Sequence, residues 1–164
     1  MSGGDLFTFR RGCEKMPRLT VFSYGRDEGG RSVRPHGLEV RTHQRTEVVE
    51  ITDLVRAAVR EAGIEHGLVH CFVPHTTAAI TLNERNDPQV VADLVSHLER
   101  LVPWTGPWTH QGNAAAHVKA SMLGHSIVLA VEGDEVVLGP WQGLFLCEFH
   151  GPRARTVQLV FQPG

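Results

Sequence analysis

Residues 126–161, SIVLAVEGDEVVLGPWQGLFLCEFHGPRARTVQLVF, decide the fold class because they alternate short apolar runs with turn signals. The runs SIVLAV, EVVL, GLFLCEF and RTVQLVF are rich in β-branched, aromatic and other apolar residues, which is typical of strands. Turn residues stand between them at positions 132–134 and at Gly151-Pro152. The final part of the chain therefore predicts antiparallel hairpins.

One strand in this stretch carries a carboxylate that needs a partner. Period-two alternation places Glu148 on the same face as Leu144 and Leu146. A charge on such an apolar face is costly unless it is paired. Arg153 and Arg155, which follow closely, are the candidate partners.

The preceding residues predict more strands and three helices. The predicted N-caps of the three helices are Thr52, Asp87 (followed by Pro88) and Asn113. The same helices are expected to end at Gly63, Pro103 and Gly124. Strands are predicted at 39–45, 48–51, 67–74 and 78–82. The fold class is therefore α+β, with antiparallel β-sheets packed against two to three helices.

Domain organisation follows from the contrast between the two ends of the chain. Residues 1–38 are rich in Gly and Arg and show no core-forming period, so we expect a poorly structured N-terminal extension. Residues 39–164 have the pattern of one globular domain, and a chain of 164 residues is long enough for one real core.

Composition excludes several classes of function. The formal charge of -2 gives no basic excess for nucleic-acid binding. No apolar run approaches the roughly 20 residues of a membrane span, and no secretion signal is visible. Cys13, Cys71 and Cys147 form no metal-binding pair, and Cys71 and Cys147 lie in apolar runs. We expect buried free thiols in a reducing cytoplasm, with no nucleic-acid or membrane partner.

Ten histidines are the unusual feature, and three of them suggest a metal site. His75 follows a predicted strand, while His110 and His117 flank the start of a helix that contains three alanines. Three histidines with an open position are a frequent catalytic zinc arrangement. The alternative is that these are ordinary turn and helix residues. His150 is interpreted as a turn residue and is not assigned to the site.

Two further groups could bind a ligand. Lys119 and Ser121 on the third helix could bind an anion beside the metal, although a solvated helix face is the commoner fate of a lysine. Trp141 and Gln142 could line a pocket, but Trp141 could equally fill a core or a subunit interface.

Three stretches together resemble the YjbQ-like family, sometimes labelled secondary thiamine-phosphate synthases. They are GLVHCFVPHTTAAITLNERNDPQVVADL, HQGNAAAHVKASMLG and VVLGPWQGLFLCEFHGPRAR, spread over about 125 residues. The resemblance implies packed β-sheets, a homotrimer and a divalent-metal site at His75, His110 and His117. This chain departs from the family pattern at Gln111-Gly112, where an acidic insert is shortened, and at Pro140, which replaces a threonine.

The family label implies synthesis of thiamine phosphate from a pyrimidine pyrophosphate and a thiazole phosphate, so the expected partner is a small phosphorylated molecule. Catalytic roles are expected for Glu84 and Lys119. Substrate contacts are expected from Thr76, Asn83, Ser121, Trp141, Gln142, Arg153 and Arg155. A three-histidine site suits zinc better than Mg²⁺. Two alternatives remain: a metal-assisted hydrolase with Glu84 as general base, and a non-catalytic trimeric binding module.

Overall fold

The computed structural model describes Arg10–Arg11, Leu19–Val21 and residues 36–164. Within these residues the strands are β1 (Arg10–Arg11), β2 (Leu19–Val21), β3 (His36–Arg41), β4 (Glu47–Glu50), β5 (His66–Phe72), β6 (Ala78–Glu84), β7 (Ser126–Glu132), β8 (Glu135–Val136), β9 (Gln142–Glu148) and β10 (Ala154–Pro163). The helices are α1 (Thr52–Ala62), α2 (Pro88–Leu101) and α3 (Ala114–Leu123). Most of the predicted 1–38 extension, with Cys13, lies outside the described residues.

Two sheets pack face to face. The four-stranded sheet has the order β1-β4-β9-β6, and the six-stranded sheet has the order β2-β3-β10-β5-β7-β8. The strands from β3 to β10 pair in antiparallel fashion. The space between the sheets is filled by apolar side chains from both, including Leu38, Val69, Ile80, Leu146 and Leu159. The predicted α+β class with antiparallel sheets is confirmed.

Helices α2 and α3 cover the outer face of the four-stranded sheet. Their buried side chains form a second core with the outward residues of that sheet, namely Val48, Ala79, Val91, Val95, Leu98, Ala116, Ala120, Phe145, Cys147 and Phe149. Alanines on the buried side of α3 allow the helix to lie close to β6 and β9. The predicted alternation along β9 is therefore confirmed, because Phe145 and Cys147 face the helices while Leu144 and Leu146 face the other sheet.

The helix ends follow the predicted signals with one correction. Asp87 caps α2 by accepting from the Gln89 N–H at 2.9 Å, and Gly63 ends α1 with a φ of 65°. The prediction that Thr52 caps α1 is wrong. Ile51 holds the cap position, and the Thr52 hydroxyl instead accepts the Leu144 N–H at 2.9 Å, which fastens α1 to β9.

The two described cysteines are buried and free, as predicted. Burial raises the pKa of the Cys71 thiol and of the Cys147 thiol to about 12. None of the helices in the described part of the chain has the length and apolar character that crossing a membrane requires.

Strand register fixes which candidate residues can meet. On paired strands β6 and β9, Ala78 lies opposite Glu148, and Glu84 lies opposite Gln142. At about 3.3 Å per residue, these two pairs are about 20 Å apart. We call the first the histidine end, defined by His75, His110, His117 and His150. The second is the tryptophan end, defined by Asn83, Glu84, Trp141 and Gln142.

Candidate functional site

A buried ion pair joins the two sheets at the histidine end. Glu148 on β9 is fully buried, and its carboxylate accepts from Arg155 Nε at 2.6 Å and from Arg155 Nη2 at 2.5 Å. Arg155 Nη2 also donates to the Thr77 hydroxyl at 2.7 Å, and Thr42 Oγ1 donates to Glu148 at 3.1 Å. The predicted need of Glu148 for an arginine partner is confirmed, and the partner is Arg155. Arg155, expected to contact substrate, is therefore committed to the interior.

His75 lies where the chain crosses from the six-stranded sheet to the four-stranded one. Pairing of β5 with β10 ends at Phe72 and Gln158, and His75 Nε2 then accepts the Thr156 N–H at 2.9 Å. Burial, followed by the Arg155 charge, lowers the pKa of His75. Both effects favour a neutral ring, which agrees with a nitrogen lone pair that accepts a backbone N–H.

His150, which sequence reasoning left outside the site, lies at its centre. Its Nδ1 faces Arg153 Nη2 at 3.2 Å and Asn113 Nδ2 at 3.1 Å, and its backbone N–H donates to Glu148 Oε1 at 2.8 Å. The Trp104 ring lies 5.9 Å away between centroids. Burial, followed by the Arg153 charge, lowers the pKa of His150.

His110 and His117 form a contact pair beside this group. Their ring centroids are 5.3 Å apart and the rings are nearly perpendicular. His110 Nε2 lies 2.9 Å from Asn113 Oδ1. Asn113 occupies the N-cap position of α3, as predicted, but its side chain makes no capping hydrogen bond. Its amide instead lies between His110 and His150.

The three histidines predicted as metal ligands do not converge in the described chain. Within residues 36–164, no group of three or more His, Cys, Asp and Glu side chains is placed to hold a metal ion. His110 and His117 are adjacent, but His75 Nε2 is engaged by β10.

Lys119 turns into the protein rather than toward solvent. It is 1% exposed, and its ammonium lies 2.6 Å from Glu99 Oε1 on α2. The Thr46 hydroxyl donates to the same oxygen at 2.9 Å. The ion pair therefore ties α3 to α2 and to the start of β4. Ser121 and Thr76, also expected at the site, are exposed.

The remaining predicted residues lie at the tryptophan end. Trp141 is 64% exposed, and Gln142 Oε1 accepts the Gly139 N–H at 2.8 Å. Asn83 Oδ1 accepts the Glu84 N–H at 2.8 Å. Because this end lies about 20 Å from Glu148 along β6 and β9, the structure divides the single predicted site into two. Glu84 cannot reach the histidines of its own chain.

The family profile and the similar proteins all point to the same protein family. The sequence profile described as "UPF0047 protein YjbQ-like" matches residues 36–164. The UPF0047 protein YugU of Bacillus subtilis is 42% identical over 121 residues, which are 73% of this chain and 92% of that protein. A UPF0047 protein of Methanocaldococcus jannaschii is 41% identical over 118 residues, covering 71% of this chain and 86% of that protein.

Solved structures share the fold. An uncharacterised YjbQ/UPF0047 protein from Clostridium acetobutylicum aligns with a TM-score of 0.75 at 39% identity, over 77% of this chain and 98% of that one. A YbjQ-like protein of unknown function from Sulfolobus solfataricus has the same TM-score at 30% identity, over 90% of this chain and 100% of that one.

Proposed function

The chain belongs to the YjbQ-like UPF0047 family, and on that premise we propose that it is an enzyme that binds a small phosphorylated molecule at the histidine end. The observation that carries the proposal is the placement of the exposed Arg153 guanidinium against His150, beside Asn113 and His110. Guanidinium and imidazole N–H groups are strong partners for phosphate oxygens. Glu148, which would repel an anion, is neutralised by Arg155.

The reaction we propose is of the thiamine-phosphate synthase type. A pyrimidine pyrophosphate is attacked by the ring nitrogen of a thiazole phosphate, a C–N bond forms, and the C–O bond to pyrophosphate breaks. The electron pair of that bond leaves with the pyrophosphate, so the protein must stabilise growing negative charge. Arg153 and imidazole donors of His75 and His150 are the groups of this chain suited to that task.

A divalent metal, zinc before Mg²⁺, remains a separate proposal. It is favoured by the contact between His110 and His117, two imidazoles of the type that bind zinc. No step of the proposed reaction depends on it. Elemental analysis of the purified protein and of His117→Ala tests it: one equivalent of zinc lost in the variant supports a site, and a metal-free parent removes it.

We also propose that the chain assembles as a homotrimer through the outer face of the six-stranded sheet. Leu68, Phe72 and Val128 are exposed on adjacent strands of that face, at 40%, 37% and 58%. Such apolar surface favours burial against another copy. Sedimentation should give a trimer for the parent and smaller species for Val128→Lys. A monomeric parent would contradict the proposal.

Anion binding is tested with inorganic pyrophosphate as the probe. Calorimetric titration should show binding to the parent and at least tenfold weaker binding to Arg153→Gln. Arg41→Gln, in an exposed ion pair with Glu39, is the matched control and should bind as the parent does. Equal affinity of all three proteins would refute the site. The reaction itself is tested by incubating the protein with the two substrates and measuring thiamine phosphate through the fluorescence of its oxidation product.

A further inference from the structure

We propose that Asn113 is a positioning residue that, together with Arg153, keeps the proton of His150 off Nδ1 and places a proton on His110 Nε2. The side chain does not cap its own helix and lies between two imidazoles that come from different parts of the chain. A missing N-cap hydrogen bond destabilises a helix, so the contacts of the amide with the two imidazoles are made at the expense of α3.

The Arg153 guanidinium has only hydrogen-bond donors. Its Nη2 lies 3.2 Å from His150 Nδ1, so that nitrogen must offer a lone pair. The ring of His150 is then neutral, and its proton is on Nε2.

The contact with His150 fixes the orientation of the Asn113 amide. Because His150 Nδ1 is an acceptor, the asparagine must present its NH₂ group to it, and the observed 3.1 Å contact from Nδ2 has this orientation. The carbonyl oxygen of the same amide then faces His110 Nε2 at 2.9 Å. Since that oxygen only accepts, His110 Nε2 carries a proton, and in the neutral form of the ring the lone pair is on Nδ1.

The proton position of His75 follows in the same way from the Thr156 backbone N–H. The Thr156 N–H points at His75 Nε2, so the proton of that neutral ring is on Nδ1. The remaining nitrogens are therefore of two kinds. His75 Nδ1–H and His150 Nε2–H are donors for phosphate oxygens, and His110 Nδ1 is an acceptor when its ring is neutral. This division of roles rests on the function proposed above, whereas the proton positions do not.

The test reads the proton positions directly. Long-range ¹H–¹⁵N spectra of histidine-labelled protein, recorded with a chelator present, distinguish protonated from unprotonated ring nitrogens. In the parent we expect protons on His150 Nε2, His110 Nε2 and His75 Nδ1. In Asn113→Asp the new carboxylate can pair with the Arg153 guanidinium and presents an acceptor to His150 Nδ1, so the signal of that nitrogen should move to the protonated range.

Asn113→Ala is the matched control. It removes the amide but leaves Arg153 as a donor, so His150 Nδ1 should stay unprotonated. The proposal is overturned if the parent has a proton on His150 Nδ1, if Asn113→Asp leaves that nitrogen unchanged, or if Asn113→Ala changes it as the aspartate does. Pyrophosphate titration of the parent is scored separately. Absence of binding with the expected proton positions would remove the proposed function and leave the role of Asn113 intact.

Discussion

Replacing Arg155 by methionine should destabilise the fold more than any surface substitution. The Glu148 carboxylate accepts two bonds from Arg155, one from Thr42 and one from the His150 N–H. The change removes both charged donors and leaves a fully buried carboxylate with two neutral ones. Breaking a buried pair in this way costs about 3–5 kcal/mol. For a chain of this size, that corresponds to a fall in Tm of about 6–20 °C.

Urea unfolding followed by circular dichroism, at one fixed protein concentration, measures the loss. Arg41→Met is the matched control because Arg41 and Glu39 form an exposed pair, and it should cost about 1 kcal/mol or less. Adding Glu148→Gln to Arg155→Met should recover part of the loss, because the unpaired charge is then gone. A cost below about 1 kcal/mol for Arg155→Met would refute the reasoning, since a truly buried, unpaired carboxylate cannot be that cheap.

Three further outcomes are expected. Lys119→Met should cost about 1–3 kcal/mol in urea unfolding, less than Arg155→Met because Glu99 retains some contact with water, and exposed Arg100→Met should change little. Gly151→Ala should lower the free energy of unfolding by about 1–3 kcal/mol, because the new Cβ would lie 2.2 Å from the Gln44 carbonyl oxygen. Gly139→Ala is the control, because its Cβ would contact only the flexible Gln142 side chain. The pKa of His75 and of His150 is lowered below 6.5 in the folded protein, so the unfolded chain binds more protons at mildly acidic pH. The free energy of unfolding should therefore fall as the pH drops below 6.5 and become constant once the pH is below the pKa values of both histidines in the folded protein. A free energy of unfolding that stays unchanged from pH 7 to 5 would contradict this.

Local sequence predicted the elements well because their signals are short-range. The apolar alternation of β9, the Asp87-Pro88 start of α2 and the glycine stop of α1 each depend on neighbours in the chain, and each is confirmed. The partner of Glu148 could also be predicted from the sequence, because a charge on an inward strand face requires an opposite charge nearby.

The composition of the site could not be predicted in the same way. Asn113 and His150 meet across 37 residues, and only the packing of α3 on the four-stranded sheet brings them together. The one available signal was that His150, like His75, directly follows a strand. Conversely, Asn83 and Glu84 are near His75 in sequence, but an extended strand carries them to the opposite end of the sheet.

Separation of the two sheet ends means that selection can act on them unequally. At the histidine end, Glu148 serves the interior through Arg155 and the site through the His150 backbone, so one substitution there changes both folding and chemistry. At the tryptophan end, the Trp141 side chain is largely exposed to water, so a substitution there should leave the interior packing unchanged. Saturation mutagenesis scored for soluble expression should therefore find positions 141 and 142 permissive and positions 148 and 155 nearly invariant. A protein engineer seeking new binding properties would have freedom at the tryptophan end and almost none at the histidine end.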